Sequence, residues 1–381
     1  MKTIWTFRAL DALFFRDGTP FHQGEGGFVQ PRGTFPPTMM TLQGAIRTAL
    51  ARWRGWEPGG EEKWPEELGG PEDLGDLQLY GPYLQLEEKV LYPAPLLLFG
   101  KKKGGKWDIA RLVPGNPVCC DLGRETRLPR LTCPVEGGDP LDAWLTREGM
   151  EKVLAGGEPK DHQIHSRDEL WKEERRIGLE REREKRTAKA HHLYGITMVR
   201  PMRNVRLVVY VEGIPDDWEL PERAIVPLGG EGRAAEVTID KAETIKSFPK
   251  PPELVENGDG KIRFTVTLLT PGWYGNYEER HENPPEDVIR VIRSGPREVP
   301  GRCVSACIGK TMQIGGWDIK NSCPRPLWPV LPPGSTWFYE APASERHRIE
   351  ELHGKVTGFK SRYGMGQLLI GIWNEWEERK G

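Results

Sequence analysis

Glycine and proline are spread along this whole chain and divide it into short segments. There are 45 glycines and 34 prolines among 381 residues. Glycine supplies the positive φ angles that tight turns need, and proline interrupts helices and central strands. The pattern therefore favours short strands joined by turns and long loops. The 14 tryptophans supply large side chains for a hydrophobic core, so we expect a folded chain.

The first 53 residues predict a strand, a glycine-rich loop and a helix, in that order. Residues 3–15 are rich in Ile, Trp, Phe and Leu, which is typical of a buried strand, and turn residues follow at 16–20. Glycines then recur at positions 24, 26, 27 and 33. Thr38 is a candidate N-cap, because it precedes apolar residues at helical spacing: Leu42, Ala45, Ile46, Ala49, Leu50 and Trp53.

The middle of the chain is polar and harder to interpret. Residues 84–99 and 106–113 read as the strands of a hairpin, with the basic segment 101–105 at its tip. Residues 158–190 are almost all charged or polar, and propensity favours a solvated helix there. Periodicity does not settle this point, because residues 176–179 equally fit the start of a strand.

The second half again mixes strands and helices. Strands are predicted at residues 205–211, 236–240, 261–270, 303–309, 335–340 and 367–373. Short helices are predicted at 288–292 and at 344–353, with Gly354 as the C-cap of the latter. This order is typical of an α+β fold. At the usual size of a domain, a chain of this length predicts two of them.

A glycine-rich loop stands directly before the predicted last strand, at residues 358–366. Glycines at 358, 364 and 366 allow backbone amides to approach phosphate closely. Lys360 and Arg362 add cations that neutralise phosphate, and Phe359 and Tyr363 are aromatic rings on which bases stack. From the residues alone, a nucleic-acid site and a plain connection between a helix and a strand remain open alternatives.

The net charge of −2 excludes a chain that binds polyanions over its whole surface, but the charge is uneven. Residues 160–206 carry 13 Lys and Arg against 8 Asp and Glu, and residues 101–130 carry 8 against 3. Local basic patches of this kind hold nucleic acid in some proteins, and in others they are simply solvated surface.

Six cysteines are expected to be free thiols, since the chain has neither a signal-peptide pattern nor an apolar run long enough to span a bilayer. We therefore expect a cytoplasmic protein with no membrane contact. Cys303, Cys307 and Cys323 are the best candidates for zinc, but no Cys-x-x-Cys pair or suitably spaced His accompanies them. Neither a metal nor a cofactor is predicted.

The glycine pattern before the last strand resembles the signature loop of the RAMP superfamily of CRISPR proteins. Other segments resemble, in the same order, the handle-capping RAMP subunit of Cmr, or type III-B, complexes. These segments are residues 15–21, 36–47, 176–179 with Leu193 and Tyr194, 227–233, 270–272, 314–318 and 332–335. Together the matches run from residue 7 to residue 373, and their order makes the resemblance specific.

The resemblance implies two ferredoxin-like, or RRM-like, domains with long loops and insertions, at residues 1–204 and 205–381. It implies a non-catalytic subunit that caps the 5′ handle of the CRISPR RNA and docks on the large palm-domain subunit and on a backbone RAMP subunit. Residues 177–194 would then form a hairpin-like element rather than a helix. The residues predicted to bind RNA are Gly358, Phe359, Lys360, Arg362, Tyr363, Gly364 and Gly366, with Arg16, Arg32, Thr38 and Arg47 as a second group around the N-terminal loop.

Two other classes of protein remain as alternatives. A RAMP endoribonuclease that processes CRISPR transcripts would use a His in the loop after the first strand, where His22 lies, but no second acid–base group is apparent. An RRM protein of another system would carry an aromatic-rich RNP strand, and none is found. A polymerase or cyclase would require a metal-binding Gly-Gly-Asp-Asp turn, which is also missing from the sequence.

Overall fold

The computed structural model describes residues 1–16, 33–120, 123–181, 188–242, 248–275, 286–318 and 323–375. Strands are the main elements of these residues. In chain order they are β1 (Lys2–Ala9), β2 (Gln78–Leu86), β3 (Lys89–Pro93), β4 (Leu98–Lys103), β5 (Lys106–Cys120), β6 (Gly123–Leu131), β7 (Asp139–Pro140), β8 (Ala143–Thr146), β9 (Ile164–Ser166), β10 (Trp171–Arg181), β11 (Ala188–Pro201), β12 (Val205–Glu212), β13 (Arg223–Pro227), β14 (Ala234–Lys241), β15 (Lys261–Leu268), β16 (Arg302–Cys307), β17 (Met312–Ile314), β18 (Trp317–Asp318), β19 (Cys323–Pro324), β20 (Trp328–Val330), β21 (Thr336–Pro342) and β22 (Leu368–Ile372). The helices are α1 (Met39–Trp53), α2 (Arg147–Leu154), α3 (Arg167–Leu170), α4 (Glu286–Ser294) and α5 (Arg346–Glu350). The α+β prediction is confirmed.

The chain forms two compact units, each built from three segments. The first consists of residues 1–88, 167–245 and 313–328, and the second of residues 89–166, 246–312 and 329–381. The predicted boundary between residues 204 and 205 falls inside the first unit, because β12 pairs with both β1 and β2. The assignment of two ferredoxin-like domains stays a prediction.

In the first unit, strands lie in the order β13-β14-β1-β12-β2, and neighbouring strands are antiparallel. Alternation in β1 buries Thr3, Trp5 and Phe7 and leaves Lys2 and Arg8 at the surface. Helix α1 buries residues at helical spacing, among them Leu42 and Ile46. Its Trp53 stacks on Trp5 with 5.6 Å between ring centroids. The predicted strand and helix are thus present, although the strand ends at Ala9, and most of the predicted loop lies outside the described residues.

The charged middle segment forms a β-hairpin of β10 and β11, with the register running from Trp171↔Pro201 to Arg181↔Ala188. The helix that propensity predicted over residues 158–190 is therefore wrong for this part, and the hairpin implied by the resemblance is confirmed. In a strand, residues i and i+2 share a face. Glu174 and Arg176 consequently lie side by side, and Arg176 Nε donates a hydrogen bond of 2.7 Å to Glu174 Oε1.

The second unit contains an antiparallel sheet in the order β16-β21-β15-β22. Its core includes Phe264, Trp337 and Tyr339 with aliphatic residues of α4, α5 and β22. The unit also contains the strands β3, β8 and β9, which pair in that order, and the sheet β6-β5-β4-β7. The turn predicted at residues 101–105 is shorter in the structure, because residues 101–103 belong to β4 and only Gly104 and Gly105 connect it to β5. Within the described residues, no helix is long and apolar enough to cross a membrane.

Candidate nucleic-acid interface

The glycine-rich loop lies between α5 and β22 in the second unit and is closed at both ends by backbone hydrogen bonds. Thr357 N–H donates to the Gly366 carbonyl at 3.0 Å, and Gly366 N–H donates to the Pro271 carbonyl at 2.8 Å. Gly366 has φ +71, and a Cβ atom there would lie 2.1 Å from the carbonyl oxygen of Thr357. Both the backbone conformation and the close approach therefore require glycine at this position.

Gly358 is fixed in the same way at the start of the loop. It has φ +87, and a Cβ atom would lie 2.4 Å from the carbonyl oxygen of Trp273. That carbonyl accepts the backbone N–H of Phe359 at 2.8 Å. Gly364 is also left-handed, with φ +71, and ends the short 3-10 turn Ser361–Tyr363. All three predicted glycines thus shape the backbone.

A buried frame from the segment after β15 holds the inner side of the loop. The Thr270 hydroxyl donates to the Gly364 carbonyl at 2.7 Å and accepts from Gln367 N–H at 3.0 Å. The Tyr274 hydroxyl lies 2.8 Å from Thr357 Oγ1, and burial raises the pKa of Tyr274. These frame residues were missed by the sequence analysis of the loop, although the segment 270–272 was among the motifs that carried the resemblance.

The outer side of the loop carries the cations and one exposed ring. The Lys360 amine lies 5.2 Å from the ring centroid of Phe359 and 5.0 Å from that of Tyr363. Phe359 is 46% exposed, whereas Tyr363 is 4% exposed and packs into the unit. Arg362 is exposed. The predicted residues are therefore brought together, with Phe359, Lys360 and Arg362 outward and Tyr363 inward.

His353 supports the base of the loop and is partly buried. Its Nδ1 accepts the backbone N–H of Ile370 at 3.0 Å, so the proton resides on Nε2, which lies 2.8 Å from the Pro249 carbonyl. Burial is the main cause that lowers the pKa of His353 below its ordinary 6.5. The ring is thus neutral at neutral pH and links β22 to the segment around residue 249.

We expect His353 to make the second unit less stable in acid. Since its pKa is lower in the folded than in the unfolded chain, the unfolded chain binds the proton first as the pH falls below about 6.5. The free energy of unfolding should then decrease with falling pH. Urea denaturation at pH 7.5, 6.5 and 5.5 should show a steeper decrease for the wild type than for His353→Asn. His347 is exposed, so His347→Asn is the control and should keep the wild-type slope.

In the first unit, the described residues reach both ends of the N-terminal loop. Arg16 is exposed and forms an isolated antiparallel bridge with Gly33, and Thr34 N–H donates to the Phe15 carbonyl at 2.8 Å. These contacts bring the two ends of the loop together. Arg32, predicted to bind RNA, and His22, the alternative catalytic residue, lie outside the described residues.

Thr38 and Arg47 mark the helix that follows this loop. Thr38 occupies the predicted N-cap position, but its side chain forms no capping hydrogen bond. Arg47 is buried, and its Nη2 donates to the carbonyls of Gly69 at 2.9 Å and Gly70 at 2.6 Å. Its guanidinium therefore fastens the segment around residue 70 to α1, a use that periodicity alone did not indicate.

A network of charges in the first unit ties the base of the β10–β11 hairpin to the end of β1. Asp11 forms ion pairs with Arg200 at 2.8 Å, Arg233 at 2.9 Å and Arg176 at 3.3 Å. Glu174 contacts Arg176 and Arg200, each at 2.6 Å. A backbone hydrogen bond from Ala12, followed by the arginines, lowers the pKa of Asp11 to about 2. The network fixes where the hairpin leaves the sheet, and the sequence analysis did not identify Asp11.

A strand-rich α+β chain with a cationic, glycine-rich loop directly before its last described strand fits the resemblance to RAMP-type CRISPR proteins that the sequence suggested. The sequence profile of the CRISPR-associated protein family Cas_Cmr3 matches residues 5–373, so the chain belongs to this family. The prediction of a Cmr-type CRISPR protein is thereby confirmed.

Solved structures agree with this fold. One similar chain comes from the cryo-EM structure of the type III-B Cmr-beta bound to cognate target RNA. It is 16% identical with a TM-score of 0.53, over 97% of this chain and 96% of that chain. A second comes from the type III-B Cmr-beta bound to cognate target RNA and AMPPnP, at 16% identity and a TM-score of 0.50, over 94% and 90% of the two chains. At this identity the likeness concerns the fold. No curated protein matches the sequence significantly.

Proposed function

We propose that this chain is a non-catalytic, cytoplasmic RNA-binding subunit of a type III-B CRISPR effector complex. It caps and positions the repeat-derived 5′ handle of the CRISPR RNA, and it docks the large palm-domain subunit and a backbone RAMP subunit. Membership of the Cas_Cmr3 family supports the assignment to this complex. The observation that carries the RNA role is the outward cluster of Phe359, Lys360 and Arg362 on a loop whose backbone is held from inside.

The chemistry of this cluster suits single-stranded RNA. Lys360 and Arg362 neutralise phosphates, and the exposed part of Phe359 offers a face for one base, worth about 1–3 kcal/mol where a base stacks. Because hydrogen bonds from Thr270 and to Trp273 hold the loop backbone, little conformational entropy is lost when RNA binds. A preformed loop of this kind favours a handle held in one position.

The β10–β11 hairpin is the best candidate in the first unit for docking a protein subunit. Ile177 is 75% exposed on β10, on the strand face opposite to Glu174 and Arg176 of the ion network. It is the most exposed large hydrophobic side chain among the described residues, and the centre of a protein interface is where such apolar surface is buried. Whether that neighbour is the palm-domain subunit is decided by cross-linking from residue 177 in the assembled complex.

The RNA proposal predicts that Lys360→Ala combined with Arg362→Ala weakens binding of an RNA that carries the 5′ handle. Each lost phosphate contact should reduce the slope of log K against log salt by about 0.7, so the pair reduces it by about 1.4. Fluorescence anisotropy with full-length protein between 50 and 300 mM salt (roughly the range in which such contacts are resolved) measures this slope. The control is Arg348→Ala with Lys355→Ala, which removes the same charge from exposed positions in the same unit.

An unchanged affinity and slope in the Lys360/Arg362 double variant would remove the loop from the RNA site. Membership of the complex is tested separately, by purifying the tagged chain from its host. Recovery of a palm-domain subunit and of short RNAs that share one 5′ end supports the proposal. Recovery of the chain alone, with cleavage of CRISPR transcripts in EDTA, would favour the endoribonuclease alternative and His22.

A further inference from the structure

Four lysines surround the tight turn between β4 and β5 in the second unit. Lys101, Lys102 and Lys103 end β4, Lys106 begins β5, and all four are exposed. We call this group the lysine turn. It lies outside the glycine-rich loop and has no part in the contacts that hold that loop.

The lysine turn places like charges directly opposite one another. The register pairs Lys103 with Lys106 across the two-residue connection of Gly104 and Gly105. Both glycines have positive φ, +58 and +84, as a tight hairpin turn requires, and a Cβ on either would meet no atom within 4 Å. The turn therefore stands in solvent, and its glycines serve the turn rather than packing. Like charges directly opposite destabilise a hairpin, so folding alone gives no reason for this pair.

Asp108 stands opposite Lys101 in the register of β4 and β5 and is the one carboxylate that faces a lysine across this pair of strands. Among the described residues, Lys101, Lys103 and Lys106 form no ion pair within 4.0 Å. The carboxylate of Asp161 accepts the backbone N–H of Trp107 at 3.0 Å. Lys102 lies opposite Trp107 and 5.6 Å from its ring centroid, so the indole orients one of the four amines. The result is a concentrated cationic surface at the end of a regular hairpin.

We propose that the lysine turn is a second nucleic-acid site, which binds the phosphate backbone of single-stranded RNA without reading its sequence. Lysine is depleted from protein–protein interfaces, which need buried apolar or aromatic anchors. No large exposed hydrophobic side chain occurs between residues 98 and 111. Phosphate binding, by contrast, requires little more than accessible cations. The choice of RNA as the polyanion rests on the proposed function.

Edge protection is the competing use of these lysines. β4 pairs with β7 at Phe99 and Gly100, so residues 101–103 extend past that partner. Lysine on an exposed strand edge prevents pairing with another chain. Edge protection predicts that a variant without the four lysines self-associates. RNA binding predicts that the same variant loses affinity for RNA, and the two effects can be measured separately.

The test uses full-length protein and a fluorescent 30-nucleotide oligouridine (a length of about two to seven ssRNA-binding sites), which lacks the handle. Lys101, Lys102, Lys103 and Lys106 are all changed to Gln. Anisotropy at about 100 mM salt should show affinity reduced by about 10-fold or more, with the salt slope lower by about 2 to 3. The matched control changes Lys89, Lys250, Lys310 and Lys355, which are exposed in the same unit, to Gln and should retain most of the affinity. Since the probe has no handle, failure of the handle proposal would leave this result unaffected.

A second variant guards against a folding defect. Lys103→Gln with Lys106→Gln removes the opposed pair, so its Tm should equal or exceed that of the wild type while its affinity for oligouridine falls. Equal losses in the lysine-turn and control variants would overturn the proposal, and so would unchanged affinity. Self-association at unchanged affinity would assign the lysines to edge protection. If the variant with all four lysines changed to Gln loses binding to poly-glutamate but still binds oligouridine, the lysines serve an acidic protein surface instead.

Discussion

Replacing Arg111 with methionine is expected to lower the free energy of unfolding by about 3 kcal/mol. Arg111 is 3% exposed on β5 and donates to three backbone carbonyls of the second unit. Nη1 donates to Val153 at 2.8 Å and Gly157 at 3.1 Å, and Nη2 donates to Ile372 at 3.1 Å. Methionine keeps much of the apolar packing but removes three hydrogen bonds from a charged donor, each worth about 1.5–3 kcal/mol.

The expected loss is smaller than the sum of three such costs, because the wild-type guanidinium itself is expensive to bury. Burial lowers the pKa of Arg111 to about 10, so the group is still protonated at neutral pH. Val153 belongs to the last turn of α2, whose carbonyls carry the negative end of the helix dipole and stabilise a cation there. Arg111 thus joins β5, the end of α2 and β22 at one point.

Urea denaturation followed by tryptophan fluorescence measures this effect. Arg111→Lys should recover part of the stability, since an ammonium reaches some of the three carbonyls but lacks the planar fork. Arg130→Met is the control, because Arg130 is exposed on the neighbouring β6 and its loss should change stability by less than about 0.5 kcal/mol. If Arg111→Met and Arg130→Met unfold at the same urea concentration, the carbonyl contacts do not stabilise the unit.

Elements that local periodicity defines were predictable. The alternation in β1 and the apolar spacing in α1 each reflect one buried face. The residues of such a face are close together in the sequence, so their spacing reveals it. The lysine-rich turn was also predictable, because a Gly-Gly pair between two strand-like segments favours a hairpin. The glycines at 358, 364 and 366 fit the same rule, since left-handed conformations almost require glycine.

The remaining features depend on partners that are distant along the chain. Glu, Lys and Arg favour a helix over residues 158–190, but pairing of β10 with β11 and the bonds to Asp11 outweigh this weak propensity. Arg47 is buried because two backbone carbonyls more than 20 residues away accept hydrogen bonds from its guanidinium. Thr270 lies 94 residues before its acceptor Gly364, so the frame of the loop could not be read from the loop itself.

Gly366→Ala is expected to damage both stability and RNA binding. An alanine at φ +71 costs about 1–2 kcal/mol for the left-handed backbone alone. Its Cβ would also lie 2.1 Å from the Thr357 carbonyl oxygen, a backbone atom that cannot move without opening the hydrogen bond between Thr357 and Gly366. We therefore expect a total loss of about 3 kcal/mol, and an affinity for handle-containing RNA reduced by about 10-fold or more, because Lys360 and Arg362 lose their fixed support.

The affinity is measured at a temperature where circular dichroism shows that the variant is folded, so that the binding defect is separate from the stability defect. Gly44→Ala is the control, and it should change the free energy of unfolding in the opposite direction. Gly44 lies inside α1, and an added Cβ would meet no atom within 4 Å. Alanine should therefore stabilise the helix by about 0.5–1 kcal/mol and leave RNA binding unchanged. Gly358→Ala would repeat the test at the other end of the loop, where the clash is with the Trp273 carbonyl. If Gly366→Ala and Gly358→Ala both lose stability but bind handle RNA as the wild type does, the glycines serve the fold alone and the RNA must be held elsewhere on the chain.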